Sequence, residues 1–164
     1  MMSEEKFWKL IEQSNQEKKS VDKNEQGDAL QEILQNFSES EIVGFHARML
    51  MLKEKLKTLF MREIAFMMKY GDNDQAFDGF VNWVIVLGKA HYLKAQNSPP
   101  YVLTLDDPEL FVVGKPYFQD LNYVALSAYF DDTHLELGDW VKALRKVMRK
   151  ESYKNKKNDS EIKN

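Results

Sequence analysis

The sequence predicts an all-α fold, a compact multi-helix single domain with a long central helical pair and an irregular segment near residues 98–116. Three observations lead there. Apolar residues recur at spacings of three and four from Ile42 to Met67 and again from Phe77 to Leu87, the period of a helix face. Helix-starting residues precede these runs, and Gly71, Gly88 and Ser98-Pro99-Pro100 punctuate them. At 164 residues and 43% apolar content, the chain can bury about two thirds of its unfolded surface without disulfides or metals as staples.

The elements follow in order. Ser3 is placed to cap a first helix, with Glu4 and Glu5 in its first turn and Phe7, Trp8, Leu10 and Ile11 as a short stripe that must dock elsewhere. A polar stretch follows, read as a fraying end or linker, and a second helix is predicted over Asp28–Asn36. Ser38 and Glu41 have capping-box spacing before the series Ile42, Phe45, Met49, Leu52, Leu56, Leu59, Phe60, Ile64 and Met67. That series predicts one stripe on a helix of about 30 residues, long enough to be divided by a kink or break, with Gly71 as a left-handed cap.

Asp72, Asn73 or Asp74 then caps a helix that is apolar around most of its circumference, which places it at the centre of the fold. VNWVIV also has the composition of a buried strand; the helical spacing on either side favours helix. Ser98-Pro99-Pro100 ends that helix, YVLTL reads as extended or partly buried, and Asp106-Asp107-Pro108 looks like a brief helix start. Helices are predicted over Tyr117–Phe130 and Leu135–Arg149, with Trp140 docking the last. Residues 1–150 therefore form the helical domain and residues 151–164 a basic, flexible tail.

Composition removes several classes of function. Without cysteine there are no disulfides, thiolate metal sites or cysteine nucleophiles. The acidic N-terminus lacks the pattern of a secretory signal, and no apolar run approaches the roughly 20 residues of a membrane span, so a cytoplasmic protein is expected. Residues 142–164 carry nine basic and three acidic side chains, leaving a net charge of −9 on the remainder. An acidic body favours a basic partner, whereas the tail offers at most weak attraction to nucleic acid.

Candidate chemistry is sparse. His46, His91 and His134 fall on separate elements and form no metal-binding motif, and no serine sits in a nucleophile or phosphate-loop signature. No catalytic, cofactor-binding or metal-ligating residue is therefore assigned. Asp72, Asp74 and Asp78 form the densest acidic cluster, the last two one turn apart on a helix. Asp106, Asp107 and Glu109 form a second, explained as well by a helix dipole as by a ligand. These six are the candidate interaction surface. Gly88 is read as a point of close helix approach, and Tyr92, Tyr101, Tyr117 and Tyr123 as candidates to line a groove.

The order of FWKLIE, EIVGFHARM, GDNDQAFDGFVNWVIVLGKAHYLKA and DDPEL resembles the bacterial DUF4240 family, a domain of unknown function. Gly71, Asp74, Phe77, Phe80, Trp83, Ile85 and Gly88 carry the resemblance over about residues 3–132. Asn82 stands where the family resemblance implies arginine, Gln75 where it implies an acid and Val84 where it implies leucine. The resemblance implies an intracellular helical domain and supplies no reaction or cofactor.

The leading expectation is a protein-binding or regulatory module with a basic protein partner, one form being an immunity protein that neutralises a toxin. The alternatives are a small carboxylate-dependent or metal-dependent hydrolase using Asp74 and Asp78, and weak nucleic-acid association through the tail. Apolar stripes beyond what one core needs also allow a homo-oligomer.

Overall fold

In the computed structural model, residues 1–17, 23–105, 118, 121–130 and 136–161 are described. Ser3 starts the first helix, α1 (Glu4–Glu17), by accepting the Lys6 amide on Oγ at 3.2 Å. Its apolar stripe docks as the sequence requires. Phe7 stacks on Phe45 at 4.8 Å, and Trp8 lies 5.0 Å from Tyr92. Helix α2 (Lys23–Gln35) begins before the predicted Asp28, because Gln26 has interior work: its amide donates to the carbonyl of Val86 at 3.2 Å.

The long predicted helix is two helices, α3 (Glu39–Leu56) and α4 (Leu59–Met67). Glu41 reaches back to the Ser38 amide at 3.1 Å, and Lys6, 2.8 Å away, together with Ser38, lowers its pKa to about 2. The break falls at Lys57 and Thr58, where Thr58 Oγ1 accepts the Met61 amide and caps a new helix. The new helix has its own phase. Met61, Ile64 and Ala65 face inward, so Leu59, Phe60 and Met67, expected inside, lie outside with Phe66.

Helix α4 ends in a left-handed residue, and it is Lys69 (φ 69°), not Gly71. Tyr70 N–H reaches Ala65 C=O at 2.7 Å and Lys69 N–H reaches Phe66 C=O at 2.9 Å, the two bonds of a Schellman end. Gly71 is needed for space instead. A Cβ there would lie 2.5 Å from the Phe66 nitrogen and 2.7 Å from its Cα, both backbone atoms. Gly71→Ala is expected to cost about 1–3 kcal/mol, read from urea unfolding, because the end of α4 must shift to admit the methyl. An unchanged midpoint would mean the turn gives way freely.

Asn73 caps α5 (Asp74–Val86) through a 2.8 Å bond from the Ala76 amide to its Oδ1. Buried residues run around this helix, including Phe77, Phe80, Trp83 and Ile85, so it is the central one. It stops short of the predicted end. Gly88 takes φ 100°, a conformation open to glycine and strained for L side chains, and starts α6 (Lys89–Asn97) in a new direction. A Cβ on Gly88 would meet nothing within 4 Å, so its task is the turn and not close packing.

YVLTL belongs to a 3₁₀ helix, Pro99–Leu105, with Val102 and Leu105 buried, and is not extended. Helix α7 (Leu121–Phe130) packs against α2 and α3, and α8 (Leu137–Glu161) against α3. Trp140 docks α8 between His46, 5.2 Å away, and Tyr129, 4.9 Å away. The helix continues past the predicted end at Arg149, as a run rich in lysine and glutamate permits. The chain is all-α, with no strand among the described residues.

Candidate functional site

Two notable regions flank the break between α3 and α4, one buried and one exposed. On its buried side, Lys53 of α3 is 2% exposed, on a face otherwise lined by Met49, Leu52 and Leu56. An ammonium there requires acceptors. It donates to Asp78 Oδ2 and to Asn122 Oδ1, each at 2.6 Å, and Asn122 Nδ2 donates to the same Asp78 oxygen at 2.8 Å. Lys57 approaches the other oxygen, Oδ1, at 3.0 Å.

Asn82, fully buried on α5, joins this network. Its Nδ2 donates to the Phe118 carbonyl at 2.9 Å and to Asn122 Oδ1 at 3.2 Å, while the Phe118 amide donates to Gly79 C=O at 3.0 Å. The cation of the cluster thus comes from α3, while the position at which the resemblance implies arginine carries an amide. Three helices, α3, α5 and α7, meet on one carboxylate.

The charges are set by competition between burial and pairing. Burial pushes the Lys53 amine down from its ordinary value, opposed by Asp78. For Asp78 burial is the largest single influence and pushes upward, but hydrogen bonds from Lys53, Lys57 and Asn122 together hold the carboxyl below its usual range. Burial also works against a charged Lys57, and its contact with Asp78 more than compensates, leaving it raised. Asp78 is therefore an ionised acceptor with both oxygens engaged. That suits it to holding helices together, and gives it no raised pKa for general acid chemistry.

Asp74, one turn earlier, opens onto the same surface hollow as Asp78, lined also by Lys57, Thr58, Leu59, Arg62 and Phe77. It pairs with Arg62, whose guanidinium also lies 5.2 Å from the Phe77 ring. Asp74 is 91% exposed as a side chain, and Asp72 is exposed before the cap. The structure thus brings Asp74 and Asp78 to one hollow, each with its own cation. Asp106, Asp107, Glu109, His134 and Tyr117 lie outside the described residues.

The other candidates disperse. Tyr92 is buried and donates to Leu52 C=O at 3.1 Å, Tyr101 meets His91 at 2.9 Å, and Tyr123 is 53% exposed. No group of three His, Asp or Glu side chains suited to a metal ion occurs among the described residues, and no described helix is long and apolar enough to cross a membrane.

The exposed region is the outward face of α4. Leu59 is 85% exposed, Met67 67%, Phe66 63% and Phe60 49%. Residues 59, 63 and 66 lie about one turn apart, so these side chains form one stripe with Glu63 in its middle. The stripe borders the hollow at Leu59. The apolar period of the sequence places three of its four apolar members in the core and gives no sign of the Lys53 cluster. The available signals were Thr58 as a second cap and a lysine within the apolar face of α3.

Fold and surface define a helical domain that presents one apolar helix face beside an ionic cluster. The chain belongs to the DUF4240 family, described as a protein of unknown function, whose model matches residues 2–131, from α1 to just past α7. No curated protein and no solved structure matches it.

Proposed function

We propose that the protein is a protein-binding or regulatory module whose contact surface is the outward face of α4. The observation that carries this reading is the exposure of Leu59, Phe60, Phe66 and Met67 together on one short helix. Isolated exposed apolar residues are common; four large ones in a stripe resemble the buried centre of an interface with its cover removed. Aromatic and methionine side chains are enriched in such centres, and Arg62 and Asp74, which line the hollow beside Leu59, supply a polar rim. The acidic body favours a basic partner, and a toxin held by its immunity protein is one pairing of that kind.

A photo-reactive phenylalanine analogue placed at position 66 and, as a control, at Lys9 on an exposed part of α1 tests the surface in living cells. The expected result is one dominant covalent adduct with a different protein from position 66, and none from position 9. Phe60→Glu should abolish that adduct while leaving the melting temperature within about 2 °C, because the side chain is half exposed. No adduct, or equal adducts from both positions, overturns the reading.

A further inference from the structure

Resting on that reading of α4, we infer that the partner presents a lysine or arginine in the middle of a cluster of large apolar side chains, and that Glu63 receives it. Glu63 lies one turn from Leu59 and about one turn from Phe66 and Met67, exposed at the centre of the stripe. The neighbouring charges are already matched: Arg62 pairs with Asp74, and Lys57 with Asp78 and Glu54. Glu63 has no ion pair among the described residues. A partner that covers the apolar side chains must cover Glu63 with them.

A carboxylate buried without a cation is strongly unfavourable, so an entirely apolar occupant is selected against. A second copy of this chain fits poorly for the same reason. A two-fold contact centred on the stripe would set Glu63 against Glu63, like charges in a desolvated centre. An anionic membrane surface would meet the same carboxylate with its own negative charge. A basic group ringed by apolar ones satisfies both the stripe and its central acid.

The test selects binders from a library of random 12-residue peptides displayed on phage, using the immobilised full chain and removing peptides that also bind a Leu59→Glu/Phe66→Glu variant. The expected survivors carry Lys or Arg flanked by large apolar residues. Selection on Glu63→Lys should exchange that preference for Asp or Glu, and a synthetic peptide from the first selection should bind Glu63→Lys at least about tenfold more weakly. All these substitutions lie on exposed positions, and circular dichroism should show unchanged helix content and melting.

Stripe-dependent peptides that lack a charge preference and bind Glu63→Lys equally well would overturn the inference and leave the α4 surface standing. The absence of any stripe-dependent peptide would remove both. Stripe-dependent sedimentation with vesicles of phosphatidylcholine and phosphatidylglycerol, or a concentration-dependent dimer lost in Leu59→Glu/Phe66→Glu, would assign the face to lipid or to a second copy and overturn the inference.

Discussion

Asp78→Ala is expected to lower the unfolding free energy by about 3–5 kcal/mol, the range seen when one partner of a buried ion pair is removed. The reason lies with the groups it leaves behind. Lys53 would remain 2% exposed with Asn122 Oδ1 as its one remaining acceptor among the described residues, and α3, α5 and α7 would lose their shared carboxylate. Lys53→Met should be milder, under about 2 kcal/mol, because Asp78 would keep Lys57 and Asn122 and is itself partly exposed. Urea unfolding at pH 7 measures both; equal losses, or a larger loss for Lys53→Met, would contradict this account of the cluster. Because the folded carboxyl sits below its unfolded value of 3.8, its contribution is in place above about pH 4 and drains away as pH falls through the folded value.

Acidification should act earlier through a second group. Burial, reinforced by the charge of Lys53, lowers the pKa of His46 from 6.5 to about 4. Its Nδ1 is buried without a hydrogen-bond partner among the described residues, and its ring lies against Trp140. Between pH 4 and 6.5 the unfolded chain therefore holds a proton that the folded chain refuses. Stability is complete above about pH 6.5 and declines as pH falls toward 4, by about 2–3 kcal/mol between pH 7.5 and 4.5. Unfolding of the wild type and of His46→Gln at these two pH values is the measurement. The substitution should flatten the dependence over this window, and an equally steep dependence in both proteins would assign it to other groups.

Local signals in the sequence were legible where a residue acts on its own neighbours. Ser3, the Ser38–Glu41 pair and Asn73 all mark helix starts through bonds spanning three residues, which the chain order reveals directly. Helix phase across Lys57 and Thr58 was a different matter. One apolar period runs through the sequence there, while in space the second helix starts afresh and turns Leu59, Phe60 and Met67 outward. The role of a glycine is hidden for a related reason, since its sequence position does not tell whether it is needed for its torsion, as at Gly88, or for its missing side chain, as at Gly71. The Lys53 cluster joins residues 25 and 69 positions away from the lysine, so its partners become identifiable only when the helices are brought together. Asp74 and Asp78, by contrast, could be placed on one side of α5 from their spacing alone, although their cations could not.

The carbonyl of Val86, in the last turn of α5, accepts hydrogen bonds from Asn15 of α1 at 2.9 Å and Gln26 of α2 at 3.2 Å. A helix terminus leaves such oxygens without partners of its own, and here two other helices supply them. Helices α1 and α2 thereby share one oxygen atom as an anchor on the end of the central helix. Peeling α1 away strips one bond from it, and peeling α2 strips the other, so each helix loosens the seat of its neighbour. Local opening at this end is therefore expected to be coupled across α1, α2 and the last turn of α5.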